Sequence, residues 1–163
     1  MAITSEVFRA ALGRFTSGVT VVTTKDREGN LHGLTVSAFC SVSLNPPLIL
    51  VCIHKQTGSY HAFVETEAFV VNILSEDQAG VSNQFAYQHD DKFTGIKYRE
   101  GELGLPVLED CLVNLECRLK HSYDGGDHTI FVGEIEAAKV RDAKPLAYFH
   151  GQYREVSDYS GKQ

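Results

Sequence analysis

The alternation of apolar and polar residues between positions 113 and 120 constrains the fold more than any other feature of this sequence. Apolar residues occupy every second position from Cys111 to Leu119, which is the period of a strand with one buried face. A glycine-rich turn follows at 123–127, and residues 129–140 again have strand character. The pattern therefore predicts a long antiparallel hairpin.

Other segments extend this hairpin to a sheet. Residues 19–24 are rich in β-branched side chains, and a polar turn separates them from the strand-like segment 31–44, so the two predict a second hairpin. The continuous apolar run 48–53 is typical of a strand covered on both faces. Residues 68–74 predict another strand, and residues 146–156 are expected to close the sheet.

Helices are predicted at three places. In residues 4–15 the side chains of Phe8, Leu12 and Phe15 share one face of a helix, which is capped by Thr4 or Ser5. Gly18 is expected to end this helix. A short helix is expected at residues 57–64 and another helix at residues 75–86.

Many hairpin-joined strands with few short helices indicate a mainly β fold, an antiparallel barrel with flanking helices. The chain lacks the alternation of strands and helices that marks a parallel sheet. Its 163 residues fit a single domain, over residues 1–163.

Charge and composition exclude several classes of partner. A net charge of −6 argues against nucleic acid, which is bound by clustered Lys and Arg. No run approaches the roughly 18 apolar residues of a membrane span, and the first residues do not resemble a secretion signal, so we expect a cytoplasmic protein without membrane contact. The four cysteines form no CxxC pair and the histidines form no zinc motif, so no metal is expected.

Three segments carry candidate chemistry, although no dinucleotide-binding glycine fingerprint or phosphate-binding P-loop is present. In residues 34–43, serine and threonine residues interrupt a strand. Their hydroxyls and the backbone N–H groups either bind a diphosphate or the polar edge of a ring system, or they simply face water. In residues 52–59, Lys55 lies just before the expected start of a helix, and together they could hold a phosphate. The alternative is that the lysine is only solvated and that a threonine only caps the helix. In 126–128, His128 is either functional or an exposed turn histidine.

Seven segments between residues 8 and 154 occur in a specific order and spacing. They are FRAALGRFTSGVTVVTT, HGLTVSAFCSVSLNPPLILVCI, FVVNILSEDQ, SNQFA, GLPVLEDCLVNLECRL, GDHTIFVGEIE and PLAYFHGQYR. Together they resemble the short-chain flavin reductases that serve as the small component of two-component aromatic monooxygenases. The resemblance implies an FMN-binding split β-barrel, a homodimer, and FAD or FMN in a groove near the dimer interface.

The resemblance also implies site residues, carried over by position. Flavin contacts are expected from Thr35, Val36, Ser37, Ala38, Ser41, Val42, Cys52, Ile53, His54, Lys55, Ser59, Asn83 and Phe85, with Ser82 and Gln84 as further neighbours. The nicotinamide dinucleotide is expected to face His128 of the GDH motif and Tyr153. The position before the lysine varies in the family, and here it is His54, a residue that is expected to alter the affinity for flavin.

The activity implied is hydride transfer from NADH or NADPH to FAD or FMN, with reduced flavin passed to a partner monooxygenase. Because the cofactors carry the reactive electrons, the protein's task is to position them, and we expect His128 to orient the nicotinamide. Three alternatives remain: an electron carrier that holds FMN permanently, a pyridoxamine-phosphate-oxidase-like barrel with another cofactor, and a barrel without ligand. FAD and NADH are favoured by the resemblance alone.

Overall fold

The computed structural model describes residues 2–87 and 91–161. The helices in these ranges are α1 Ser5–Leu12, α2 Tyr60–Glu65 and α3 Ala79–Ala86, with a 3-10 turn at Glu76–Gln78. The strands are β1 Ser17–Gly18, β2 Thr20–Lys25, β3 Leu31–Val36, β4 Phe39–Ser43, β5 Leu48–His54, β6 Ala68–Ile73, β7 Tyr98–Glu100, β8 Pro106–Leu108, β9 Val113–Gly125, β10 His128–Val140, β11 Ala147–Phe149 and β12 Gln152–Arg154. The prediction of a mainly β chain with few helices is confirmed.

Seven strands form one sheet in the order β3-β2-β6-β9-β10-β5-β4. Its strand pairs are antiparallel, so the predicted pairing mode is also confirmed. Two smaller sheets, β1-β11-β12 and β7-β8, accompany it. The consecutive strands β3 and β4 lie at opposite edges of the large sheet, joined only by Ser37 and Ala38.

The long hairpin predicted from the alternation is present as β9 and β10, of 13 residues each. The expectation that β9 exposes one polar face is wrong for its first half. Asn114 is 7% exposed and Glu116 4%, because the segment that carries β7 and β8 covers them. The N–H of Leu103 donates to the Glu116 carboxylate at 2.9 Å, and Asn114 donates to the carbonyl of Leu108 at 3.0 Å. Hydrogen bonds thus satisfy polar side chains that the alternation places outside.

The amphipathic helix at the N-terminus is present, and the hydroxyl of Thr4 accepts from the N–H of Val7 at 3.3 Å as its cap. The prediction that Gly18 ends it is wrong. The helix stops at Leu12 with Gly13 as C-cap, and Gly18 belongs to β1. No residue of α1 is buried, so its apolar face is uncovered within this chain.

Two strand predictions need correction. In β5 fully buried residues alternate with half-buried ones, so one face is less covered than the apolar run suggests. Residues 146–156 do not close the large sheet. They form β11, which pairs with β1, and β12, which pairs with β11, in a separate sheet. The predicted hairpin at 19–44 is present as β2 and β3, and the chain then continues into β4.

The core lies on both sides of the central strands. One cluster centres on Val51, Phe69 and Phe131, and a second on Leu74 and Phe85. The second cluster holds α3 against β3, since Phe85 lies under Gly33, where a Cβ would stand 2.6 Å from the ring. The core therefore fixes β3, β5 and α3, which carry most of the predicted site residues.

Candidate functional site

The predicted flavin and nicotinamide segments meet where β5 ends beside the tip of the β9–β10 hairpin. Antiparallel pairing sets His54 opposite His128, and the N–H of Lys55 donates to the carbonyl of Asp127 at 2.9 Å. Gly126 in the turn has φ of 80°, the left-handed region that favours glycine. The GDH turn is thereby fixed against the end of β5.

The ammonium of Lys55 fastens the same turn. It forms an ion pair with Asp124 and donates to the carbonyl of Gly126 at 2.7 Å. The hydrogen bond to Asp124 raises the pKa of Lys55 and lowers the pKa of Asp124. A flavin phosphate at Lys55 would therefore share or replace the contact with Asp124.

Asp127 connects the two facing histidines. Nδ1 of His128 lies 2.6 Å from one oxygen of Asp127, and Nε2 of His54 lies 3.8 Å from the other. The rings of His54 and His128 meet edge to face, with centroids 5.0 Å apart. Nδ1 of His54 accepts from the N–H of Gln56 at 3.1 Å, so neutral His54 carries its proton on Nε2, towards Asp127. The bond from His128 lowers the pKa of Asp127, which keeps an acceptor beside both rings.

The hydroxyl-rich segment crosses from β3 to β4. Thr35 donates from its hydroxyl to the carbonyl of Ser82 at 2.6 Å, which ties β3 to α3. Ser37 and Ala38 are exposed between the strands, and the N–H of Cys52 donates to the carbonyl of Ala38 at 3.0 Å. The segment thus reaches from α3 to the site at the end of β5. The remaining predicted positions are Val36, which is buried, and Ser41 and Val42, which are exposed on β4.

A second group of predicted residues lies around the middle of α3. The hydroxyl of Tyr153 lies 2.8 Å from Oγ of Ser82 and 2.8 Å from Oδ1 of Asn83. The hydroxyl of Thr35 on β3 donates to the carbonyl of the same serine, so Thr35 and Tyr153 both bond Ser82. Gln84 donates instead to the carbonyls of the following loop. The structure therefore brings Tyr153 to the predicted flavin residues of α3.

Three predicted flavin contacts, in addition to Val36, lie inside the protein. Ile53 is 1% exposed and Phe85 is fully buried, so neither residue presents a surface to a ligand. Ser59 is 7% exposed and precedes α2 as its N-cap. Nearby, the hydroxyl oxygen of Thr57 is buried and has no hydrogen-bond partner in the described residues. An unpaired buried hydroxyl is costly, so this segment has free capacity for a polar ligand such as a flavin phosphate.

Sequence reasoning missed Asp124 and Asp127, which hold Lys55 and His128. The GDH motif itself contains Asp127, and the pairing of β10 with β5 sets the turn beside the end of β5. The place of both carboxylates in the predicted turn at 123–127 was the signal that could have identified them. It also missed a polar cavity of about 740 Å³ near the turn after β2, to which Ser59 contributes.

Over the described ranges, the helices are all too short or too polar to cross a membrane.

Residues 12–157 match the family described as the flavin reductase like domain. The chain is 41% identical over 153 residues to the FMN reductase (NADH) of Agrobacterium fabrum, covering 94% of this chain and 87% of that one. It is 38% identical over 156 residues to the reductase subunit of a flavin-dependent monooxygenase from Rhodococcus jostii, covering 95% and 80%.

A solved structure is similar over the whole fold. The NADH:FAD oxidoreductase of Streptomyces globisporus, in complex with NAD and FAD fragments, has a TM-score of 0.91 at 30% identity and covers 99% of each chain. A relative from Rhizobium meliloti is 39% identical over 156 residues, or 93% of this chain, but the chain spans only 50% of its length.

Proposed function

The chain belongs to the family of flavin reductase like domains, and on that premise we propose that it is an NAD(P)H-dependent flavin reductase. It transfers a hydride to FAD or FMN and supplies the reduced flavin to a partner monooxygenase. Its similarity to an FMN reductase that uses NADH, to an NADH:FAD oxidoreductase and to a monooxygenase reductase subunit supports each part of this proposal.

The proposal includes a single domain over residues 1–163, a split barrel and a homodimer. The split barrel is supported by the large sheet, whose edge strands β3 and β4 follow one another in the chain. The homodimer is supported by the uncovered apolar face of α1, where Phe8 is 57% exposed, Leu12 56% and the following Phe15 81%. A second copy lying on that face would remove these side chains from water.

In the proposed flavin site, the ring lies along Thr35 to Ala38 and β4, and the ribityl phosphate lies towards Lys55 and Ser59. The exposed backbone at Ser37 and Ala38 supports this position, as does the unpaired hydroxyl of Thr57. The ring-edge donors are backbone groups and small hydroxyls, with no covalent anchor required. Such a site favours exchange of the flavin, which the transfer to a monooxygenase needs.

The proposed nicotinamide position is beside His128 and Tyr153. Asp127 accepts from Nδ1 of His128, which leaves Nε2 as the atom available to a ligand. The side chain of His128 is 39% exposed and is held from two sides, by Asp127 and by the ring of His54. His128 therefore orients the donor, and no proton transfer from it is required.

When bound, the flavin supplies the acceptor for a hydride from the nicotinamide, chemistry that belongs to the cofactors. The chain's contribution is to hold two rings in contact and to keep them aligned. Alignment of this kind contributes on the order of several kcal/mol to lowering a barrier. The pairing of β5 with β10 carries this proposal, because it joins the flavin segment to the nicotinamide histidine.

The test compares His128→Ala with the matched control His121→Ala, which removes another exposed histidine from the neighbouring strand. Loss of one hydrogen bond predicts an increase of about two- to tenfold in the KM for NADH in His128→Ala, with a smaller change in kcat. The control is expected to match the wild type. Equal steady-state profiles for all three proteins would refute the role of His128.

We also propose release of the reduced flavin and a cytoplasmic location. Ultrafiltration after anaerobic reduction is expected to recover flavin in the filtrate, and flavin retained wholly by the protein would favour the permanent electron carrier instead. The location is supported by four cysteines that are all free, as expected in a reducing compartment.

A further inference from the structure

A compact group of metal-ligating side chains lines the cavity to which Ser59 also contributes. Asp26 follows β2, His32 is on β3 and His61 is on α2, and their ligand atoms lie within 4.8 Å of one another. Nε2 of His32 is 2.9 Å from Oδ2 of Asp26, and the two imidazole rings meet edge to face with centroids 4.9 Å apart. Three separate elements therefore converge on one point.

The carboxylate of this group is held in place by its own turn. Oδ1 of Asp26 accepts from the N–H groups of Glu28 and Asn30, both at 2.9 Å, and Oδ2 accepts from the side-chain amide of Asn30 at 3.0 Å. The side chain of Asp26 is only 8% exposed. A ligand that is already fixed loses little conformational freedom when it binds an ion.

The orientation of His61 also suits ligation. Its Nδ1 lies 3.1 Å from the carbonyl of Gly58. Because a carbonyl only accepts, Nδ1 carries the proton and Nε2 keeps its lone pair for another partner. Histidines that bind metals usually donate their second nitrogen to a carbonyl or carboxylate in this way.

The surroundings leave room for an ion and for a further ligand. The three side chains line the cavity of about 740 Å³, together with Glu28 and Lys92. Lys92 is the cation on this wall, but its ammonium donates to the carbonyls of Gly33 at 3.2 Å and Phe85 at 3.0 Å. Backbone carbonyls thus set the position of Lys92. The carboxylates of Asp26 and Glu28 at the turn favour a cation in the cavity.

We propose that Asp26, His32 and His61 bind one divalent transition-metal ion of the Zn²⁺ type. Two imidazoles and a carboxylate are ligands that Zn²⁺ accepts, with a fourth position left for water or a small ligand. Ligands at tetrahedral corners lie about 3.3 Å apart, so the pair at 2.9 Å is near that spacing already. The exposed side chain of His61 completes the site by a small rotation.

The metal site shares its cavity with Ser59, but the three ligands are not among the proposed flavin or nicotinamide contacts. An ion there links the β2–β3 turn to α2, two elements that are far apart in the sequence. An ion that binds the folded chain and not the unfolded chain raises the stability of the fold by mass action. The simpler explanation, that His32 and Asp26 form only an ion pair, predicts no response to metal.

The experiment titrates the full-length protein, freed of metal by a chelator, with Zn²⁺ by calorimetry and with Co²⁺ by visible absorption. Saturation at one ion per chain is expected, with a thermal transition that rises by several degrees. His61→Ala is expected to bind at least about tenfold more weakly, since a lost ligand costs more than 1.4 kcal/mol. His121→Ala, an exposed histidine elsewhere, and Cys40→Ser, an exposed thiol, are expected to bind like the wild type.

Because His61 is exposed, His61→Ala is expected to fold and melt like the wild type in chelator, which separates loss of a ligand from loss of the fold. Asp26→Asn supplies a second variant with the same shape and a weaker ligand. Absence of saturable binding, unchanged affinity in His61→Ala, or binding that is lost instead in Cys40→Ser would overturn the proposal.

Discussion

Asn72 on β6 provides the sharpest test of how this fold is held together. Its amide donates to the carbonyl of Val21 at 2.9 Å and to the hydroxyl of Thr23 at 3.1 Å. Its oxygen accepts from the N–H of Leu108 at 3.0 Å and from the amide of Asn114 at 2.9 Å. One fully buried side chain thus joins β2, β6, β8 and β9.

The cost of Asn72→Ala follows from which partners lose their only bond. Thr23 still donates to the carbonyl of Pro106, and Asn114 still donates to the carbonyl of Leu108. The N–H of Leu108 is left unpaired inside the protein, which costs about 1–3 kcal/mol, and the other lost bonds add about 0.5–1.5 kcal/mol each. We therefore expect a loss of about 3 kcal/mol, or about 6–12 °C in the midpoint of thermal unfolding.

Urea unfolding at fixed protein concentration, followed by circular dichroism, measures this loss. Asn30→Ala is the matched control, because it removes an exposed amide in a turn, and its expected cost is under about 1 kcal/mol. A loss under about 1 kcal/mol for Asn72→Ala would refute the reasoning, because the buried network would then contribute no more than the exposed one.

Three further predictions concern packing, charge and the site. Gly133→Ala places a Cβ 2.6 Å from the ring of Phe69 and is expected to lower the unfolding free energy in urea by about 1–3 kcal/mol. The ion pair with Lys55 lowers the pKa of Asp124, so the stability lost in Asp124→Asn should be present above about pH 4 and shrink below it, as pH-dependent melting would reveal. Tyr153→Phe removes a hydroxyl bonded to α3 and is expected to cost about 1 kcal/mol and raise the KM for NADH.

Each of these three has a contrary outcome. An alanine at position 133 that leaves the urea midpoint unchanged would mean that the Phe69 ring moves without cost. A difference at Asp124 that grows towards acid pH would reverse the sign derived from its lowered pKa. A Tyr153→Phe protein with unchanged kinetics would remove Tyr153 from the nicotinamide site.

Local pattern predicted the two hairpins of the large sheet well. The hairpins at 19–36 and 113–140 follow directly from alternation and turn residues. The pattern failed where tertiary contacts cover a polar face. Glu116 and Asn114 alternate like exposed residues, yet a neighbouring segment supplies their hydrogen bonds. Such partners lie at a distance in the sequence, so periodicity carries no signal for them.

In the proposed site too, local pattern predicts the segments, but tertiary contacts decide which of them meet. The predicted segments carrying His54 and His128 are neighbours because β5 pairs with β10, a register that no local pattern specifies. Asp26, His32 and His61 form no spaced motif, and only the folding of α2 against the β2–β3 turn brings them together. The spacing of the histidines and cysteines therefore carries no signal for this group.

The most direct test of the central claim is NADH consumption by the purified protein as free FAD or FMN is added. A flavin reductase that exchanges its flavin is expected to turn over many times and to saturate with the free flavin concentration. NADH consumption that does not respond to added flavin, or no consumption at all, would contradict the account.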